Sequence, residues 1–499
     1  MTVDLNKIKE IHFIGVGGIG LSAIARLMKE KSKEISGSDL SPSLVVDKLK
    51  KLGVKIYSSQ VEKNISDDLD LVIYTTAVPK NNPELKKAKE LKIKTITYPE
   101  ALGIIFNDKF GIAVCGTHGK STVSAMAGIL LEDARLDPSV IVGSLVSQFN
   151  NSNLRIGKNK YFVAEACEYE RSFLNLYPKI IILNNIELDH TDYYRDLDDM
   201  RSVFEEFIGH LPEDGVLICN GDDERVSSIK HQASSKIQNS KFKILSFGLN
   251  KTNDVRVCSV DFKSGKTKFK VFYNNKKLGE FILKMPGLFN VYNALGVITL
   301  GLVLDIPVEV IKKSLVNFSG IWRRFEIKGE YKNALVVSDY AHHPTAVKAT
   351  IEAVREFYPN RRIFAVFQPH QHSRTKKLYQ DFLKSFNGAD ILILSEIFDV
   401  TGREKKKDQS VSSLDLVNDI KKKNRWFHSS NNAVEPVSQK GSTGLKPLWN
   451  QHIINANSIF YAKNLKETEE LINTNIESGD ILLIMGAGDI YKIADNLVK

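Results

Sequence analysis

The sequence predicts an α/β fold in three successive domains. Apolar strand-like runs alternate with helix-period segments along the chain. Two glycine-rich loops each stand between such a strand and the helix after it. And 499 residues exceed what a single hydrophobic core fills. In the first unit, residues 1–107, strands at Ile11–Val16, Glu34–Ser38 and Asp70–Thr75 alternate with helices at Gly20–Lys31 and Ser43–Lys51, a Rossmann-like parallel sheet. The second, residues 108–322, opens at Phe110 in the manner of a P-loop ATPase and continues with strands at Tyr161–Ala164, Lys179–Asn185 and Gly215–Asn220. Within it, Asp254–Lys284 alternates apolar and polar residues around Ser264-Gly265 and Asn274-Asn275, the pattern of antiparallel hairpins. Helices follow at Asn290–Leu304 and Val308–Phe318. The third, residues 323–499, is again Rossmann-like, with strands at Ala334–Ser338, Arg362–Phe367, Ile391–Ser395 and Ile481–Met485. Ser429–Asn457 has no period and is rich in Ser, Asn, Gln and Gly; it reads as a long flexible surface loop, with Trp449 and Ile453-Ile454 too few to build a core.

Lysine and arginine number 69 against 59 acidic residues, a net charge of +10. The basic residues are dispersed among acids, as in Glu404-Lys405-Lys406-Lys407-Asp408, which suits solvated faces and an anionic small substrate rather than nucleic acid. The four cysteines form no CxxC pair, and three of them fall in apolar stretches that read as buried strands, the pattern of reduced thiols. No charged-then-apolar leader opens the chain and no stretch has the length of a membrane span, so a soluble cytoplasmic protein is expected, monomer or homodimer.

The run Phe110-Gly-Ile-Ala-Val-Cys-Gly-Thr-His-Gly-Lys-Ser-Thr122 carries the most chemistry. Backbone N–H groups of Gly116, Thr117, His118 and Gly119 and of the helix start at Lys120-Ser121-Thr122 converge on an anion. Lys120 neutralises terminal phosphates and the Ser121 hydroxyl suits Mg²⁺, so ATP is the expected ligand. The second loop, Gly15-x-Gly17-Gly18-x-Gly20, with Asp39 ending the next strand, meets the dinucleotide fingerprint. It fits either a nicotinamide cofactor, as in an NAD(P) oxidoreductase, or the diphosphate of a nucleotide-linked substrate. A simple dehydrogenase has no use for the ATP cradle, which shifts the balance to the second reading.

Seven motifs stand in order along nearly the whole chain. They are Ile14-Gly-Val-Gly-Gly-Ile-Gly-Leu-Ser-Ala23, Gly116-Thr-His-Gly-Lys-Ser-Thr122, Asn185-Ile-Glu-Leu-Asp-His190, Trp322-Arg-Arg-Phe-Glu326, Asp339-Tyr-Ala-His-His-Pro-Thr345, Gln368-Pro-His370 with Ser373-Arg374-Thr375, and Met485-Gly-Ala-Gly-Asp489. Together they resemble the Mur ligases, and within them most closely the members that join L-alanine to UDP-N-acetylmuramate. The resemblance implies domains for UDP-substrate, ATP and amino acid, and a reaction in which ATP phosphorylates a carboxylate before the amine displaces phosphate. It implies catalytic roles for Lys120, His190, Arg324 and His343, with Ser121, Glu165 and His190 as Mg²⁺ ligands. Arg324 is implied at the γ-phosphate, Asn293 at the adenine and Asp339 among the nucleotide contacts. Gly15, Gly17, Gly18, Gly20, Asp39, Thr75, Thr76, His370 and Arg374 are implied as contacts to the UDP-sugar. Arg323 is expected to face solvent, and one of His342 and His343 to be a helix N-cap.

Four positions depart from the family pattern: Phe289 where a histidine is usual, Cys167 where aspartate is frequent, and Gln371-His372 in place of Arg-Tyr. None removes a phosphate or metal ligand. Many Mur ligases carry a CO₂-carbamylated lysine shortly after the Asp-His motif, yet Thr191–Ser228 contains no lysine; Glu205 or Glu206 is the expected substitute. A recycling ligase that adds a preformed tripeptide to the same sugar shares most of these motifs and remains an alternative, as does a nucleotide-binding protein without turnover.

Overall fold

The computed structural model describes residues 3–229, 242–263, 265–399, 410–429 and 453–499. Three sheets follow one another along the chain. The first is wholly parallel and runs, edge to edge, Lys55–Tyr57, Glu34–Ser38, Glu10–Ile14, Leu71–Tyr74 and Lys94–Thr97. Strand order reverses beside Glu10–Ile14, and the Gly15–Gly18 turn leaves that strand's C-terminal end, the place where open α/β sheets bind ligands. Helix Ile19–Glu30 buries Leu21, Ile24, Leu27 and Met28 at helical spacing against this sheet.

The second sheet has ten strands. Its parallel centre places Phe110–Cys115 between Ile180–Leu183 and Tyr161–Glu165, with Val216–Asn220 and Lys243–Gly248 beyond the former. The expected hairpins are present as Val255–Lys263, Lys266–Tyr273 and Lys276–Leu283 at one edge. The other edge, Ser139–Val146 with Ser152–Arg155, was not anticipated. Helix Lys120–Asp133 is buried from Ser121 to Leu131, because sheet and helices Leu288–Val303 and Val308–Asn317 enclose it. That is why it reads as apolar all round rather than amphipathic.

The third sheet runs Glu326–Tyr331, Ala334–Asp339, Ile481–Met485, Ile363–Phe367, Ile391–Ser395 and Ile459–Ala462, parallel except for its first hairpin. One hydrophobic core is shared by the first unit and one face of the second, with Phe106 edge-on to Phe162 at 5.7 Å.

Two expectations need correction. Cys115 and Cys219 are buried, but Cys258 is exposed because it alternates outward from buried Val255 and Val257 in an edge hairpin; Cys167 is exposed too, and all four thiols are free. The expected loop at Ser429–Asn457 is narrower at both ends. Helix Ser413–Ser429 extends into its first residue, Ile454 is buried, and its carbonyl accepts from the Asn424 amide at 2.9 Å. Residues 430–452 lie outside the described residues. Among the described residues no helix is long and apolar enough to cross a membrane.

Candidate functional site

The phosphate loop leaves the buried strand Phe110–Cys115 through Gly116, at φ +124°, and enters its helix through Gly119, at φ +83°. A side chain at Gly116 would meet the Asn185 carbonyl, and one at Gly119 the Asn293 amide, so both glycines are required by close approach as well as by dihedral. The segment after strand Ile180–Leu183 templates the loop. Thr117 N donates to Asn185 O (3.1 Å) and His118 N to Asn185 Oδ1 (2.8 Å). The Thr117 hydroxyl donates to Glu187 O and accepts from Glu187 N, both at 2.8 Å.

At the base of this loop lies a charged group that sequence reasoning only half found. Lys120 Nζ donates to Gly116 O (2.6 Å) and Thr117 O (3.1 Å), and lies 2.9 Å from both carboxylate oxygens of Glu168, hydrogen bonding Oε1. The Glu168 side chain is 1% exposed, and its Oε2 has no hydrogen-bond partner. Burial pushes the Glu168 carboxyl up, but the Lys120 ammonium and His190 outweigh it and hold it below the ordinary carboxylate range. Burial likewise opposes the Lys120 charge, and Glu168 more than restores it. His190, at φ +50°, brings Nε2 to 3.6 Å from Glu168 Oε1 and rests its ring on Tyr169. Glu165, expected as a Mg²⁺ ligand, ends strand Tyr161–Glu165 and accepts from Gly143 N at 2.6 Å. Glu205 and Glu206 sit on helix Leu197–Ile208 in ion pairs with Arg201 and Arg171.

The third unit closes on the same segment. His343 caps helix Pro344–Phe357, with Nδ1 accepting from Thr345 N at 3.4 Å, so the N-cap is the histidine expected to be catalytic. Its Nδ1 lies 3.6 Å from Glu187 Oε2, which is 2.8 Å from His118 Nε2, while Glu187 Oε1 accepts from Thr345 Oγ1 at 2.6 Å. Burial pushes the Glu187 carboxyl up, yet His118, His343 and the Thr345 hydroxyl pull it down to about 2. Two residues on, buried Asp189 Oδ1 accepts from Arg374 Nε (2.9 Å) and lies 2.8 Å from Arg374 Nη2. Arg374 also reaches His370 Nδ1 at 3.1 Å, and His370 stacks on Phe398. Arg374, expected to bind substrate, is thus committed to Asp189 here. His342 Nε2 stands 3.8 Å from Asp189 Oδ2; burial pushes its imidazole down to about 4 despite that neighbour.

A cavity of about 330 Å³ opens between the second and third units. Of the expected nucleotide contacts His118, Gly119, Thr122, Asn293, Arg324 and Asp339 line it, joined by Phe289, Asn290 and Tyr292. Asn293 Nδ2 donates to Asn290 Oδ1 (3.1 Å), which leaves the Asn293 carbonyl facing Gly119. Arg324 lies over the Tyr340 ring at 4.8 Å. Arg323 is not at the surface: it is 5% exposed, set among the rings of Trp322, Tyr340 and Tyr491, and donates to the carbonyls of Gly486 and Gly488. Asp339 accepts from Phe325 N and Ala341 N, both 2.7 Å, and burial raises its carboxyl.

In the first unit Gly17 N donates to Asp39 Oδ2 at 2.8 Å, so Asp39 closes the glycine loop. Thr75 packs under Gly15, Tyr98 packs on Gly20, and Thr76 is exposed. Gly18 N donates to Gly15 O. Arg26 donates to Ser152 Oγ (2.6 Å) and Lys48 to Asn151 O (2.7 Å), which turns this loop's helix toward the second unit.

Three family profiles tile the chain. The "Mur ligase family, catalytic domain" matches residues 10–110, the "Mur ligase middle domain" residues 114–301, and the "Mur ligase, glutamate ligase domain" residues 323–488. The chain belongs to the Mur ligase family. It is 38% identical over 500 residues to the UDP-N-acetylmuramate–L-alanine ligase of Clostridium kluyveri, covering 99% of both chains. It is also 38% identical to the enzyme of that name from Sulfurihydrogenibium sp. YO3AOP1, covering 99% of this chain and 98% of that one. Among solved structures it resembles the UDP-N-acetylmuramate-alanine ligase MurC of Thermotoga maritima, with TM-score 0.77 and 26% identity over 98% of each chain. A murein peptide ligase from Psychrobacter arcticus shares the fold, at TM-score 0.69 and 22% identity.

In this Mur ligase the residues that sequence reasoning missed are Glu168, Glu187, Asp189 and Arg323. Glu168 stands three residues after the chosen Glu165, and Glu187, Asp189 and Arg323 stood inside quoted motifs. For the first pair a signal existed: Glu165 ends a strand, whereas Glu168 follows the turn and returns beneath the phosphate loop.

Proposed function

We propose that this Mur ligase joins L-alanine to the lactyl carboxylate of UDP-N-acetylmuramate in peptidoglycan precursor synthesis, in the cytoplasm. ATP transfers its γ-phosphoryl group to the carboxylate, giving ADP and an acyl phosphate; the alanine amine then attacks the acyl carbon, forms the amide and expels phosphate. The observation that carries the reading is the Lys120–Glu168–His190 group under the phosphate loop, in a chain aligned end to end with enzymes of that name.

Catalysis of this kind is positioning and charge neutralisation. Loop N–H groups from Gly116 to Thr122 hold the phosphates, and Lys120 meets the charge that develops on the transferred group. Arg324, carried by the third unit, reaches the same phosphates only when that unit is docked. Asn293 lines the cavity for the base, its amide oriented by Asn290. The Gly15–Gly20 loop, with Asp39, Thr75 and Thr76, is the proposed receiver of the UDP-sugar, and His370 and Arg374 are its proposed contacts from the third unit. The donor set proposed for Mg²⁺ is the Ser121 hydroxyl at the start of the loop's helix, the Glu165 carboxylate at the end of strand Tyr161–Glu165 and the His190 imidazole. Those residues would hold the ion, which supplies further neutralisation of phosphate charge.

ADP release measured with UDP-N-acetylmuramate and alanine, glycine, serine or a preformed tripeptide tests the proposal. Alanine should support turnover best. A strict requirement for the tripeptide would assign the chain to recycling, and tight NAD⁺ binding with no ADP release would overturn the reading altogether.

A further inference from the structure

Among the described residues, His118, Glu187 and His343 form the group of histidine, cysteine and carboxylate side chains whose ligand atoms lie within 4.8 Å of one another. Two come from the second unit and one from the third. Glu187 Oε2 is 2.8 Å from His118 Nε2 and 3.6 Å from His343 Nδ1. Ligands bound at 2.0–2.1 Å around a tetrahedral ion stand about 3.3 Å apart, so both Glu187 pairs are within a small side-chain adjustment of that geometry, and the two histidine atoms lie within 4.8 Å of each other. The ligands are also prepared. Glu187 is oriented through its other oxygen by Thr345 at 2.6 Å, the supporting contact that metal-binding carboxylates carry. The His343 ring is weakly committed: Nδ1 takes one 3.4 Å contact from Thr345 N, and its buried Nε2 has no partner.

We propose that His118, Glu187 and His343 are a binding site for a borderline divalent ion of the Zn²⁺ or Co²⁺ class, which pins the third unit to the phosphate loop. Two imidazoles and one carboxylate disfavour Mg²⁺, a hard ion that takes oxygen ligands in octahedral geometry. The three ligands are different side chains from those of the Lys120–Glu168–His190 group. Glu187 and His118 line the nucleotide cavity, and Glu187 and His343 line a second cavity of about 440 Å³ on the other side, so a fourth ligand position is accessible to water. An ion here ties loop and helix Pro344–Phe357 across the domain boundary.

The test is a Co²⁺ titration of the full chain, free of nucleotide and Mg²⁺, read by the visible bands of tetrahedral cobalt. Binding is a separate readout from ligase turnover, so it fails or succeeds independently of the proposed reaction. The wild-type protein should develop these bands, and Zn²⁺, but not excess Mg²⁺, should bleach them. His343→Gln and Glu187→Gln, which remove ligands rather than their supporting contacts, should each weaken binding by more than about 100-fold, the upper end of the loss on removing an outer-shell partner. Cys258→Ser removes an exposed thiol far from these ligands in the chain and should leave the bands intact. Zn²⁺ should raise the melting temperature of the wild type and not of His343→Gln. Absence of tetrahedral bands in the wild type, or wild-type affinity in both ligand variants, overturns the proposal; the first outcome does not depend on any variant folding.

Discussion

Replacing Glu168 by glutamine removes one charge from the base of the phosphate loop while keeping the side chain's shape. Lys120 Nζ lies 2.9 Å from both Glu168 oxygens, with the carboxylate side chain 1% and the lysine side chain 12% exposed. At an effective dielectric constant near 20, unit charges at this distance attract by about 6 kcal/mol, and desolvation of both groups cancels part of that. Losing the carboxylate charge leaves the ammonium with neutral acceptors only, the Gly116 and Thr117 carbonyls and the new amide oxygen, so Glu168→Gln should destabilise the protein by about 3 kcal/mol. Turnover should fall on the order of 10²–10³-fold, because the same charge orients Lys120 toward the phosphates. Glu165→Gln, by contrast, weakens one hydrogen bond from Gly143 N and should cost about 1 kcal/mol. Urea unfolding and ADP release on both variants, side by side, decide the matter. If Glu165→Gln is the inactive one while Glu168→Gln turns over normally, the assignment of Glu168 is wrong.

Three further outcomes are expected. Arg374→Ala strands a buried Asp189 and should cost about 3–5 kcal/mol, whereas the double variant with Asp189→Asn should recover part of it; a double-mutant cycle with no coupling would show that the pair does not join the second and third units. Lowering the pH should loosen the same junction: His342 titrates near 4 when docked against an ordinary 6.5, so the free form binds more protons, and its contribution, at most roughly 3 kcal/mol, is complete above pH 6.5 and lost on falling toward pH 4. His342→Gln should abolish that part of the profile, while the loss from Glu187 begins only below pH 4.5. Finally, turnover should be equal in bicarbonate-free and bicarbonate-supplemented buffer, since Thr191–Ser228 has no lysine to carbamylate; a bicarbonate requirement reversed by degassing would refute this.

Elements whose shape is set by local pattern were legible in the sequence. The parallel strands ending at Ser38, Ser395 and Met485 fall where their apolar runs end, and the hairpins from Val255 to Leu283 follow their turn residues. Strand Ser139–Val146 carries a legible β-branched run, Val140-Ile141-Val142, but its place at the sheet edge is set by pairing with Tyr161–Glu165 and Ser152–Arg155 downstream in the chain. At the site, glycine loops were readable because backbone geometry demands glycine there. Which of two carboxylates faces inward, or which of two adjacent arginines is buried, depends on a turn and on rings from distant elements. Arg323 shows this well: Tyr340 and Tyr491, which enclose it, are 17 and 168 positions away.

One short segment explains why phosphate loop and third unit are coupled at all. After strand Ile180–Leu183 the chain spends seven residues, Asn184–His190, outside regular structure, and almost every one is assigned. Asn185 and Glu187 backbone groups fix Thr117, and the Asn185 side chain fixes His118. Glu187 and Asp189 side chains reach Thr345 and Arg374 in the third unit, and His190 faces Glu168. Because the side chains alternate in task, a shift of the third unit pulls on Glu187 and Asp189, and the residues between them carry the loop and His190 with it. Undocking therefore disturbs the phosphate loop and the Lys120 group together rather than in sequence. Glu187→Ala is the sharpest probe of this coupling: it severs the Thr345 and His118 contacts while leaving the backbone bonds to Thr117. It should weaken nucleotide binding and third-unit docking in parallel, read by nucleotide titration and by protease sensitivity of the junction. Loss of docking with unchanged nucleotide affinity would show that the segment is a passive linker.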